Sequence, residues 1–349
     1  MGMRGRTLSA TVTLILVAGC GGFSPGLKGQ SGTKAKAFQD PAPPIEIDAK
    51  AAHAHAAHLS APEWKGRNSA SDGDHEATRY SEAYLKGLGF VTGRQPFTHW
   101  SFRGTAENLL AVVPGKASDK FVVIGCHKDH IGTGWDGKVY PGANDNAGGC
   151  AGVLEAGAAL KRRADNGQQQ EPTVLLMLFS GEEKGLIGSA FYVKNPVKPS
   201  ADGALQSIQL EQIKGMVQLD VIANGQPDKF DIDTADGDTE AILADVRKTA
   251  ARRGMVPAVR PFLEHRPHHA AARELPPGAT SDHASFRRAG VRAVLFYAEP
   301  LHRYLHHHDD TVQERDRFKK DPDNVFNDEK LAKLAQLGLD QALTWGTGN

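Results

Sequence analysis

His127, Asp145, the Glu182-Glu183 pair, Asp220 and His306 are the side chains of this 349-residue chain whose types and settings could do chemistry together. Residues 121–124 (FVVI) form an apolar run that reads as a fully buried strand, and His127 sits at its end, with Asp129 two residues on. A Gly-rich loop leads to Pro141-Gly142-Ala143-Asn144-Asp145-Asn146 and then to the small-residue start of a helix. A neutral imidazole offers a metal ion one ring nitrogen, and a carboxylate offers two oxygens that can bridge two ions. Asp129 is placed to accept the other ring N–H of His127 and so fix its tautomer. Read alone, the segment is equally a solvated histidine and an aspartate capping a helix.

The case rests on the set. Glu182-Glu183 directly follows the apolar run 173–179 (TVLLMLF), and Asp220 directly follows 215–219 (GMVQL). Asp145 and His306 lie on loops that can join them. In open α/β sheets, ligands bind beyond the carboxyl ends of the strands, where these residues fall. Three carboxylates and two histidines suit a pair of divalent ions about 3.5–4 Å apart, with one carboxylate bridging. Adjacent side chains leaving a strand diverge, so one of Glu182 and Glu183 binds metal while its neighbour faces water as a general base.

The segments His-x-Asp (127–129), Pro-Gly-Ala-Asn-Asp-Asn (141–146), Glu-Glu-x-Gly-Leu-x-Gly-Ser (182–189), Leu-Asp (219–220), Ser-Asp-His-x-x-Phe (281–286) and His-x-x-x-Asp-Thr (306–311) together resemble the di-zinc aminopeptidase family. That family includes bacterial leucyl aminopeptidases, with glutamate carboxypeptidase and glutaminyl cyclase as relatives. The resemblance runs from about Leu59 to Leu343, with the motifs in the family's order. It implies that Asp145 bridges two zinc ions, that His127 and Asp220 complete one, and that Glu183 and His306 complete the other. It further implies that Glu182 is the base for the attacking water, that Asp129 orients His127, and that the Asp145–Asn146 peptide is cis. Leu305 stands where relatives commonly have Tyr, and His306 is chosen over His307 and His308 by its four-residue spacing to Asp310. His130 and His283 recur near the site in relatives without being ligands.

These residues need a frame. Strand patterns at 108–113, 121–124, 173–179, 215–219 and 291–296 alternate with helical stretches at 74–87, 147–163, 238–253 and 328–343. The alternation predicts a three-layer α/β sandwich, its central sheet mixed but mostly parallel and flanked by helices. Residues 51–58 (AAHAHAAH) read as a helix with a solvated histidine face, and 256–280 as an irregular loop.

Lys+Arg and Asp+Glu balance at 41 each, which leaves no basic face for nucleic acid. A basic start, an uncharged stretch at 7–18 too short to span a bilayer, and Val17-Ala18-Gly19-Cys20 resemble a bacterial lipoprotein signal. That implies a signal peptide over 1–19, an acylated Cys20, a Gly/Pro/Ser-rich tether over 20–47, and a peptidase domain over 48–349. The protein would then sit in the bacterial cell envelope, periplasmic or on the outer membrane, held by lipid. Of the three cysteines, Cys126 and Cys150 remain, expected as a buried reduced pair. The expected activity is zinc-dependent removal of N-terminal residues from peptides. The competing readings are a single-zinc glutaminyl cyclase, which needs only three of the five ligands, and a non-catalytic binding relative; oligomeric state is left open.

Overall fold

The computed structural model describes residues 44, 46–234, 239–255, 281–299, 302, 304–313 and 322–348. The signal segment, Cys20, nearly all of the tether and the loop 256–280 lie outside them. The chain begins with α1 (Ala49–Leu59), a 3-10 turn at Pro62–Arg67, α2 (Asp72–Gly87), β1 (Val91–Phe97), β2 (Ala106–Val113) and β3 (Ala117–His127). It continues through α3 (Gly149–Asp165), β4 (Pro172–Phe179), α4 (Ile187–Lys194), β5 (Val197–Pro199), β6 (Leu205–Ser207), β7 (Ile213–Leu219) and β8 (Phe230–Asp233). Helix α5 (Thr239–Arg252), α6 (His283–Arg288), β9 (Ala293–Ala298) and α7 (Asp328–Thr347) complete it.

Seven strands form one sheet in the order β1-β2-β4-β3-β7-β9-β8. The inner four, β4, β3, β7 and β9, are parallel, and the flanking pairings are antiparallel. Continuous apolar runs form the inner strands because both faces are covered: every residue of β4 and β9 is buried. Alternate residues serve opposite layers. Val122, Ile124, Val174 and Leu176 join the core built on α1, α3, α5 and α7. Phe121, Val123, Leu175 and Met177 join the core with Tyr192 of α4 and Phe286 of α6. The result is the expected three-layer sandwich.

Side-chain caps start the outer helices: Asp48 accepts from Lys50 and Ala51 at 2.9 and 3.1 Å, and Asn327 from Lys330 at 3.0 Å. Each such cap is worth about 1 kcal/mol. The small residues opening α3 let it lie directly on the sheet, since a Cβ on Gly149 would come within 2.3 Å of the Leu219 carbonyl oxygen.

Two expectations need correction. The packed domain begins before residue 48, because Ile47 is buried in the core and Glu46 pairs with Arg163 at 2.5 Å. The α1 histidines do not form a solvated face: His55 is buried, 2.7 Å from the Tyr80 hydroxyl and 3.5 Å from Glu155, and His58 stacks on Tyr80. Helix α2 buries Asp74, Ala77, Thr78, Ser81 and Leu85. Strands β1, β5, β6 and β8 escape a sequence reading. Gly93 and Pro96 interrupt β1, and the other three have only three or four residues.

Candidate metal centre

Parallel register brings the donors together. His127 at the end of β3 lies opposite Phe179 at the end of β4, and Gly125 lies opposite Gln218 of β7. The residues just past those ends, Glu182-Glu183 and Asp220, therefore emerge on one side of the sheet. Asp145 arrives from the irregular turn Ala143–Gly148 before α3, with a cis Asp145–Asn146 peptide as expected. His306 comes from the segment after β9, with a left-handed φ of 55°.

Asp145 is central. Its Oδ1 lies 3.3 Å from His127 Nε2, and its Oδ2 lies 3.3 Å from His306 Nε2. Asp220 Oδ1 is 3.2 Å from the same His127 nitrogen, and Glu183 Oε2 is 3.1 Å from the same His306 nitrogen. Each oxygen of one carboxylate thus faces its own imidazole, and each imidazole faces a further carboxylate. Donor atoms of His127, Asp145 and Asp220 fall within 4.8 Å of one another, as do those of His130, Asp145 and Glu183. The two triads share Asp145.

Electrostatics agree with the donor chemistry. Asp145, Glu182, Glu183 and Asp220 converge without a lysine or arginine in contact among the described residues, and histidines face Asp145, Glu183 and Asp220. Burial acts to lower the His127 pKa, but Asp220, Glu182 and Asp145 outweigh it and hold the imidazole well above its usual value. Burial opposes His306 as well, yet Glu183 and Asp145 carry it up to about 11. Burial would raise Asp145, but His130, His127 and His306 keep it well below the usual carboxylate range. An excess of carboxylate faced by imidazoles suits divalent cations, which would replace the ring protons between them.

The two glutamates differ. Glu183 meets His306 and also His130, whose Nδ1 is 2.8 Å from Oε1. Burial and Asp145 push its pKa up, but the two histidines prevail and set it at about 2. Glu182 makes no side-chain hydrogen bond among the described residues, and burial, with Glu183 and Asp220 adding, raises its pKa well above the ordinary value despite His127.

Asp129 sits beside His127, but by a different contact from the one expected. His127 Nδ1 lies 3.0 Å from the Asp129 backbone oxygen and 3.8 Å from its carboxylate. The carboxylate is engaged elsewhere, accepting from the Ser69 hydroxyl at 2.6 Å and the Glu182 backbone N–H at 3.3 Å. Asp129 thereby ties the ends of β3 and β4 together. Cys126 and Cys150 are buried free thiols with Sγ atoms 2.8 Å apart, and Cys150 donates to the His127 carbonyl at 3.1 Å. Among the described residues, His307 and His308 gather around Asp309 in a group separate from the Asp145 triads. Cys20 lies outside the described residues.

The sequence marks several further contributors without assigning them a contact. Ser281 donates to Asp220 Oδ2 at 2.7 Å, and the adjacent Asp282, buried beneath the site, has its pKa raised to about 7 by desolvation. His130 faces Glu183 and Asp145 directly, with its Nδ1 2.8 and 3.7 Å from their carboxylates. Asp310 had a spacing signal but no assigned contact; it grips the backbone of Asn144 and Asp145.

A parallel-centred α/β sandwich with carboxylates and imidazoles gathered around one shared aspartate at its strand ends has the donor set of a hydrolase-like metal centre. The chain belongs to Peptidase family M28, whose sequence profile matches residues 108–321. It is 30% identical over 241 residues to leupeptin-inactivating enzyme 1 of Streptomyces exfoliatus, covering 67% of this chain and 46% of that protein. It is likewise 30% identical to a probable leucine aminopeptidase of Arthroderma otae, covering 59% of this chain and 50% of the relative. The chain thus spans about half the length of the curated relatives it matches. Its fold matches an aminopeptidase from Aneurinibacillus sp. strain AM-1 with a TM-score of 0.62 at 17% identity, over 86% of this chain and 94% of the other. A zinc aminopeptidase from Bacillus subtilis gives 0.64 at 14% identity, over 86% and 95%.

Proposed function

We propose that the chain is a zinc-dependent aminopeptidase that hydrolyses the N-terminal residue from peptides. The observation that carries this is Asp145, whose two oxygens face His127 and His306 separately at 3.3 Å. That is the arrangement of a carboxylate shared between two ions. His127 and Asp220 would hold one zinc, Glu183 and His306 the other. Membership of a peptidase family and relatives named leucine aminopeptidases support the same substrate class.

When bound, zinc would polarise the scissile carbonyl and make water a nucleophile near neutral pH. The chain's own residues do the rest. Glu182, with a raised pKa and its carboxylate free of hydrogen bonds among the described residues, takes a proton from the attacking water and delivers it to the leaving amine. Asp129 holds the Glu182 backbone N–H, so the base is fixed relative to the His127 turn. His130 orients Glu183 through Oε1 and leaves Oε2 facing His306.

The test is a panel of aminoacyl 4-nitroanilides assayed with the purified chain, after chelator treatment and after zinc is restored. Release that stops with chelator and returns with zinc is expected. Chelator-insensitive release, or no release from any aminoacyl substrate by zinc-loaded protein, would sink the proposal. The Val17-Ala18-Gly19-Cys20 segment supports a lipid anchor at Cys20, and with it a cell-envelope location. Cys20→Ser should move the protein from the membrane fraction to the soluble one, and an unchanged distribution would remove the anchor.

A further inference from the structure

Arg67 closes the 3-10 turn after α1, outside the span matched by the family profile. Its side chain is 1% exposed, and every hydrogen bond it donates goes to a backbone carbonyl. Nε reaches Lys128 at 2.9 Å; Nη1 reaches Leu59 and Pro141, each at 2.6 Å; Nη2 reaches Gly142 at 2.9 Å. Lys128 lies between His127 and Asp129, and Gly142 opens the turn that presents Asp145. One rigid, planar fork therefore spans both turns that supply the centre.

The surroundings fasten the fork in place. The Arg67 carbonyl accepts from the His130 backbone N–H at 3.0 Å, and Asn68 Nδ2 donates to the Ile131 carbonyl at 2.7 Å. Ser69 holds Asp129, while Asp74 takes the buried Lys128 ammonium and the Ser180 hydroxyl, the latter at 2.7 Å. Lys65, Arg67 and Ala70 all have left-handed φ, at 49°, 48° and 61°. Non-glycine residues keep that conformation only where neighbours over-determine it. Between them, Gly66 is wedged so closely that a Cβ would lie 2.4 Å from the carbonyl oxygens of Gly132 and Tyr140. Burial opposes the Arg67 charge, and the fields of Asp145, Asp310 and Asp129 support it.

We infer that Arg67 is a positioning residue that sets the separation of the His127 and Asp145 turns, and through it the retention of metal and the rate of catalysis. The inference rests on the metallopeptidase reading above. A residue that merely stabilised the fold would lower the melting temperature and leave metal retention and kcat of the folded protein alone.

The full-length chain is compared as wild type, Arg67→Lys and Arg67→Gln, so that one folded variant suffices, beside Leu337→Ala, a core truncation in α7. Melting temperature, zinc lost to a competing chelator, kcat and KM are measured well below each transition. Arg67→Lys keeps the charge but not the fork, and should lose zinc and kcat by about tenfold or more, with KM changed little. Leu337→Ala should melt earlier with kcat and zinc retention of the wild type. Wild-type kcat and zinc retention in folded Arg67→Lys or Arg67→Gln would overturn the inference. Losses no larger than those of Leu337→Ala at a matched melting temperature would do the same. A zinc-loaded wild type inactive on every substrate would instead overturn the peptidase reading, and zinc retention would still decide the role of Arg67.

Discussion

The carboxylate of Asp310 holds the backbone that presents Asp145: Oδ2 accepts the Asp145 N–H at 3.0 Å, and Oδ1 accepts the Asn144 N–H at 2.8 Å. Both donors are buried, and an unmet buried donor costs about 1–3 kcal/mol. Asp310→Ala should therefore destabilise the protein by about 2–4 kcal/mol, being two such donors partly resolvated, and weaken both ions together. Asp310→Asn, which keeps one acceptor oxygen, should fall between. Chemical denaturation with parallel zinc analysis checks this, and an Asp310→Ala protein of wild-type stability would contradict it.

Glu182 and Glu183 are chemically identical neighbours with opposite environments. Glu182→Gln should keep zinc and fold while turnover falls by at least about 10², since an amide cannot accept the water's proton. Glu183→Ala should lose zinc first and activity as a consequence, because Glu183 is the carboxylate that His306 and His130 face. Near-normal turnover by zinc-replete Glu182→Gln would take Glu182 out of the mechanism.

Asp145 and Asp220 separate a shared ligand from an unshared one. Asp145→Ala should lower the occupancy of both ions, whereas Asp220→Ala should weaken mainly the ion next to His127. Metal analysis after dialysis distinguishes them. Two zincs retained by Asp145→Ala would end the bridging assignment.

Stability should also depend on pH through Lys330, far along the chain in α7. Burial pushes its pKa down from 10.5 to about 8, against the pull of Asp228, and Nζ donates to the Gln226 carbonyl at 2.8 Å. Between those two pH values the unfolded chain binds a proton that the folded one has released, so stability rises with pH across the window. The contribution is complete above the unfolded pKa and lost as pH falls through the folded one. Allowing for solvent screening, it is on the order of 2 kcal/mol. Urea unfolding of wild type and Lys330→Met from pH 7.5 to 10.5 should show that rise in the wild type alone; parallel curves would refute it.

The inner strands and the donors at their ends are legible in the sequence because a strand buried on both faces must be a continuous apolar run. A polar residue at the end of such a run, as at His127, Glu182 and Asp220, announces itself. Short or interrupted edge strands such as β1 and β8 carry no such mark, since only their pairing with a neighbour makes them strands. His55 reads as solvated because alanine-rich helices look alike until one face is covered, here by Tyr80 and Glu155. The Asp129 carboxylate is the expected partner of His127 Nδ1, but Ser69 and the Glu182 N–H occupy that carboxylate, and the backbone carbonyl of Asp129 faces the ring instead. Residue type and spacing along the chain thus determined which side chains bring chemistry. Packing between segments distant in sequence decided which atoms of those side chains face one another, because a hydrogen bond is chosen by position in space, and Arg67 reaches carbonyls from three separate stretches of chain.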